Sequence, residues 1–160
     1  ELPGAEVTAV DISDGALAVA AGQESGSAAA GCPCEVVAPK FIKADVLAGP
    51  VEGLGTFDMI LSNPPYVMDS EKALMRPNVL DHEPHLALFV PDDDPLKFYK
   101  AVADVASRSL SENGFGLVEI NEALGPETEQ VFRDAGFSKT MIVKDLSERD
   151  RFVLFSSLIG

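Results

Sequence analysis

Basic residues are scarce in this chain: 12 Lys and Arg stand against 26 Asp and Glu, for a formal net charge of -14. A field of that sign repels polyphosphate backbones, so direct binding to nucleic acid is not expected, although the same acidity also serves as a plain solubilising surface. Long hydrophobic runs are missing as well. No stretch approaches the roughly 18 consecutive apolar residues of a membrane span, and no basic-then-apolar signal segment opens the chain. A cytoplasmic protein without membrane attachment is the expectation. Cysteine is limited to Cys32 and Cys34. With one residue between them a mutual disulfide would be strained, and no further soft ligands lie nearby in sequence, so both read as free thiols and no metal site is expected. Internal repeats are absent. What the chain does have is length and apolar content for one core: 160 residues, 46% of them hydrophobic, predict a single domain.

The rest is organised around Phe57-Asp58-Met59-Ile60-Leu61-Ser62-Asn63-Pro64-Pro65-Tyr66. An apolar run reads as a buried strand that stops abruptly at the tandem prolines. Proline donates no backbone hydrogen bond and disfavours helix in the residue before it, so the chain leaves the sheet extended with its carbonyls free. The Asn63 side-chain oxygen and the Pro64 carbonyl, pointing the same way, can accept both hydrogens of one planar NH2 group while the Tyr66 ring packs against it. That describes a holder for an amide or an exocyclic amine.

Around this corner the sequence alternates strands and helices, which predicts an α/β three-layer fold. A strand over 7–10 meets Asp11, and Ser13 caps a helix over 15–20. Residues 22–39 read as a loop or a frayed helix, and a short strand over 40–44 ends at Asp45. Residues 67–95, proline-rich and without a sustained period, read as a long excursion over the catalytic face. His82 and His85 flank Pro84, which prevents a regular helical pair, so a substrate loop is favoured over a metal site. Asp94-Pro95 is expected to start a helix that Gly114 ends, with Phe98 and Tyr99 in the core. A strand over 115–120, a helix over 126–135 stopped by Gly136, and an antiparallel hairpin of strands over 140–144 and 152–156 complete the chain.

Asn63-Pro64-Pro65-Tyr66 after a hydrophobic strand resembles motif IV of the S-adenosylmethionine-dependent amino-methyltransferases, shared by adenine-N6 and protein-glutamine N5 enzymes. Glu83-Pro84-His85-Leu86-Ala87-Leu88, Phe98-Tyr99, Asn113-Gly114, Glu119-Ile120, and Lys144-Asp145 through Asp150-Arg151-Phe152-Val153 are similar, in order, to the release-factor glutamine methyltransferase family (HemK or PrmC). The similarity runs from Val7 to Phe155. It implies a class I methyltransferase, Rossmann-like fold with strand order 3-2-1-4-5-7-6, and S-adenosylmethionine as cofactor. The implied substrate is the glutamine of the Gly-Gly-Gln loop of peptide chain release factors, methylated by direct transfer to its amide nitrogen.

By the same resemblance Asn63 and Pro64 hold the amide, Pro65 and Tyr66 complete the substrate site, and Glu83 braces the loop or the corner. Asp11, at the end of the second strand of the full order, accepts from the ribose hydroxyls; the alternative is that it helps cap the following helix. Asp45 or its neighbour Val46 serves the adenine, the alternative being a turn acid, and Asn63 also borders the cofactor. Asn121 departs from the glycine common after Glu-Ile in the family. The glycine-rich cofactor loop that follows strand one in such enzymes has no counterpart here. Residues 1–160 are therefore expected to be a partial catalytic domain, with strand one, its loop and a helical release-factor-binding domain upstream, and with weakened cofactor affinity on its own. Two other readings stand beside this one: an adenine-N6 methyltransferase, and a non-catalytic remnant or interaction module.

Overall fold

The computed structural model describes residues 4–27, 37–75 and 84–157, so the expectations placed on Cys32, Cys34, His82 and Glu83 lie outside the described residues. The chain divides into two compact units, Glu1–Leu54 and Gly55–Gly160. In the first, β1 (Thr8–Asp11) leads into α1 (Asp14–Ser27), which returns the chain to β2 (Lys40–Lys43). The two strands are parallel, Thr8 opposite Lys40 and Asp11 opposite Lys43, a pairing that requires a crossover of this kind. Ser13 caps the helix as the sequence predicts, its Oγ accepting the Ala16 N–H at 3.2 Å. The helix runs beyond the 15–20 core to Ser27, into the segment expected to be a loop or frayed helix. Its alanines offset the roughly 1 kcal/mol that each internal glycine costs.

The second unit opens with β3 (Phe57–Ser62) and the proline corner, then a small parallel pair of β4 (Val67–Met68) and β5 (Phe89–Val90). A 3-10 helix (Asp69–Leu74) and one turn of α2 (His85–Leu88) lie between these two strands in sequence. The stretch expected to be an irregular excursion thus carries short pieces of structure. There follow α3 (Lys97–Ser109), β6 (Leu110–Glu119), α4 (Gly125–Asp134), β7 (Lys139–Lys144) and β8 (Asp150–Ser156). The main sheet has the order β3-β6-β8-β7. β3 and β6 are parallel, and β8 runs antiparallel to both of its neighbours. This is the 4-5-7-6 part of the expected order, inserted antiparallel strand included, while β1 and β2 of the first unit form a parallel pair of their own.

Two sequence boundaries are corrected. α3 begins at Lys97 rather than at Asp94-Pro95, and Leu96 precedes it without a side-chain cap. Asp94 stays in the entering turn, where its carbonyl accepts the Lys97 N–H at 3.4 Å and its carboxylate pairs with Lys100 at 2.7 Å. The helix ends at Ser109, not at Gly114, because Leu110 is already extended and opens β6 directly.

Alternation along the strands sends Ile60, Val118, Val153, Phe155 and Ile142 to one face of the sheet, where they meet Tyr99, Val102 and Ala106 of α3 and Phe132 of α4. Phe132 and Phe155 stack with ring centroids 4.1 Å apart, and Phe137 closes on Phe155 at 4.8 Å. Gly116 lies under this cluster: a Cβ there would overlap the Phe155 ring. The opposite face carries Met59, Leu61, Phe115 and Met141, all exposed, Leu61 at 66%.

Candidate functional site

β3 delivers the chain to the corner it was expected to form. Asn63 is exposed, Pro64 is buried, and Pro65 and Tyr66 are half-buried. Among the described residues neither the Asn63 side chain nor the Pro64 carbonyl has a hydrogen-bond partner. The acceptors that the sequence singles out are thus free. Asn63 lines an open concavity of about 270 Å³ with Leu61, Ser62, Leu117, Glu119 and Phe152. Strands β3, β6 and β8 each contribute to its wall. A larger groove of about 510 Å³, lined by Leu96, Lys100, Pro126 and Val131 among others, shares no residue with the corner.

Tyr66 is tied down at both ends. Its hydroxyl donates to Glu119 Oε1 at 2.8 Å, and its carbonyl accepts from Asn121 Nδ2 at 3.2 Å. Glu119 in turn faces Arg151, Nη1 to Oε1 3.3 Å, and the other end of that guanidinium lies 3.5 Å from Asp145 Oδ2. Burial and then the Glu119 carboxylate push the Tyr66 pKa up, so the phenol remains a donor at neutral pH. Burial works against the Arg151 charge, but Tyr66, Glu119 and Asp145 outweigh it and raise its pKa. The Asp145 carboxyl is held below the usual carboxylate range, first by the Arg149 N–H and further by the Ser147 N–H and Arg151.

Behind the corner lies a second set of bonds. Asn121, 5% exposed, uses its Nδ2 to reach Glu71 Oε2 at 2.9 Å as well as the Tyr66 carbonyl. Its Oδ1 accepts the Ala123 N–H at 3.0 Å, and its backbone N–H donates to the Tyr99 hydroxyl at 3.2 Å. Glu71 Oε2 also accepts the Met68 N–H at 2.8 Å. Tyr99 is fully buried in the core, as the sequence predicts, and Phe98 is half-buried.

The residues assigned to the cofactor lie partly in the first unit. Asp11 ends β1, and its Oδ1 accepts the Ser13 N–H at 2.7 Å. Asp45 follows β2 in a turn, its Oδ1 accepting the Leu47 N–H at 2.9 Å, with half-buried Val46 beside it. The local roles of helix entry and turn acid are therefore present for both carboxylates, and each uses one oxygen. Sequence reasoning did not find Glu71 or the part played by Asn121. The departure from glycine at Asn121 was the available signal, and what it leads to depends on contacts from residues 50 and 55 positions away.

No family model matches the chain. It is similar to the release factor glutamine methyltransferase of Flavobacterium psychrophilum, 42% identical over 153 residues that cover 95% of this chain and 50% of the relative. It is likewise similar to the release factor glutamine methyltransferase of Bacteroides thetaiotaomicron, 39% identical over 153 residues, 95% of this chain and 52% of the relative. The chain thus spans about half the length of the curated relatives it matches. Among solved structures, a methyltransferase from Pyrococcus furiosus superimposes with a TM-score of 0.59 at 18% identity, covering 96% of this chain and 64% of that one. That likeness speaks for the fold, which is of the class I S-adenosylmethionine-dependent methyltransferase type.

Proposed function

We infer from the chain's membership of the release factor glutamine methyltransferase family, shown over 95% of its length, that it carries the amide-holding half of a protein-(glutamine-N5) methyltransferase. The observation that carries this reading is the pair of acceptors without a partner among the described residues, Asn63 Oδ1 and the Pro64 carbonyl, on a corner made rigid by two prolines and beside a concavity. An amide nitrogen is a poor nucleophile because its lone pair is delocalised into the carbonyl, so a site must align it and relieve the positive charge it gains. Asn63 and Pro64 do this by accepting its two N–H bonds. The alkylated amide is acidic and releases its proton to water without a dedicated base. Pro65 and Tyr66 complete the holder, and Glu83 is proposed to brace the loop that follows it.

The cofactor in this reading is S-adenosylmethionine. The free acceptor set fits it: Asp11 and Asp45 each have a carboxylate oxygen without a partner among the described residues. Asp11 is proposed to accept from the ribose hydroxyls, and Asp45, with Val46, to border the adenine. When bound, the cofactor supplies an electrophilic methyl group on a sulfonium. Peptide chain release factors, through the glutamine of their Gly-Gly-Gln loop, are the proposed substrate. A termination role places the protein in the cytoplasm, and the charge of -14 argues against adenine in a nucleic acid as the target.

The deciding experiment incubates the complete protein with labelled S-adenosylmethionine and either a release factor or duplex DNA, and maps the label by mass spectrometry. One methyl group on the loop glutamine is expected. Label on adenine, or none on either, would overturn the assignment.

A further inference from the structure

We propose that Asn121 is a positioning residue for the amide-holding corner, an inference that rests on the function proposed above. The chain places here a buried amide with both donor hydrogens engaged, to the Tyr66 carbonyl and Glu71, and with its oxygen accepting the Ala123 N–H. Those bonds join the end of β6 to the corner, to the 3-10 helix after it, and to the turn before α4. The backbone N–H adds α3 through Tyr99.

Between Asn63 and Tyr66 stand two prolines whose φ angles are fixed, so few soft torsions separate the pinned Tyr66 carbonyl from the Pro64 carbonyl that receives the substrate. With the Tyr66 hydroxyl held by Glu119 as well, the direction of both acceptors is set from behind. A positioning error of about 1 Å in such a holder costs on the order of a hundredfold in rate. The competing role is local: Asn121 Oδ1 alone caps the turn at Ala123.

Asn121→Asp separates the two roles. It keeps the oxygen that caps Ala123 and replaces the NH2 donor by an acceptor facing Glu71 and the Tyr66 carbonyl. The ionisable neighbours are Glu71 from the 3-10 helix, Tyr99 from α3, and the group of Tyr66, Glu119 and Arg151. Two apposed carboxyls raise one another's pKa and share a proton as pH falls, which restores one donor. For the complete protein acting on a release factor, kcat is expected to fall about tenfold or more at pH 8 with release-factor KM and cofactor affinity within about twofold, and the deficit to narrow toward pH 6. Asn121→Gly removes the clamp without repulsion. It is expected to lower kcat about fivefold or more at every pH, and to speed hydrogen exchange of the Val67 and Met68 amides about tenfold.

Asn121→Asp at near wild-type kcat, or with a deficit equal at both pH values, overturns the proposal, as does Asn121→Gly with unchanged kcat. The exchange measurement needs no substrate, so unchanged exchange in Asn121→Gly overturns it even if the wild-type protein methylates no release factor. That last outcome would sink the functional reading instead.

Discussion

At the scale of single residues, the corner derives its character from what is left unmade. Asn63 is exposed with no partner for its amide among the described residues, whereas Tyr66, three positions on, has partners at both ends. Rigidity and availability are thus assigned to different residues. Asn63→Ala is expected to leave S-adenosylmethionine binding within about twofold while lowering turnover about a hundredfold or more, as loss of an aligned transition-state hydrogen bond would. Steady-state kinetics beside calorimetry test this, and turnover within a few-fold of wild type would refute the amide-holding role. Tyr66→Phe removes a half-buried hydroxyl that donates to a carboxylate, and should cost about 1 kcal/mol in urea unfolding. Combined with Glu119→Gln the two losses should be less than additive, because both variants act on one bond.

Elements show where sequence reasoning works. β3 and the proline corner were legible because a short apolar run followed by Pro64-Pro65 admits few conformations. The hairpin of β7 and β8 was legible from β-rich runs on either side of a polar loop. The start of α3 was misread because Asp94-Pro95 has the composition of a cap, yet its carboxylate is claimed by Lys100 and the helix waits for Lys97. The bracing by Glu71 and Asn121 was not legible, since hydrogen bonds across 50 residues leave no local pattern. Close packing was equally hidden. Gly116→Ala would drive a methyl into the Phe155 ring inside the aromatic stack, and is expected to destabilise by about 1–3 kcal/mol in chemical denaturation.

The β7–β8 loop carries its own pH signature. Asp145 Oδ1 accepts the Ser147 N–H at 2.7 Å and the Arg149 N–H at 3.1 Å, and its pKa is depressed. A depressed folded pKa means that the carboxylate stabilises the fold above its unfolded value, near 4, and that this contribution is lost as pH falls through the folded one. Melting temperatures of wild type and Asp145→Asn should therefore differ most at neutral pH and converge below about pH 4. Curves that stayed parallel down to pH 3 would contradict this.

For the molecule as a whole, two surfaces pull in opposite directions. The net charge of -14 keeps copies apart, while one face of the main sheet leaves Met59, Leu61, Phe115 and Met141 in contact with water. Raising salt screens the first and not the second. The 160-residue chain is expected to self-associate increasingly with ionic strength in sedimentation velocity, and Met59→Lys with Met141→Lys to suppress that without lowering the melting temperature. Salt-independent sedimentation would show that the apolar face is not the adhesive one. The strand order has a consequence in time as well as in space. β8 is the last of these strands to be synthesised, yet it lies inside the sheet, with β6 on one side and β7 on the other. On the ribosome β3 and β6 can pair as soon as both have emerged, but the far edge of β6 and the whole of β7 must wait unpaired until β8 has followed them out and can slide in between as the missing plank.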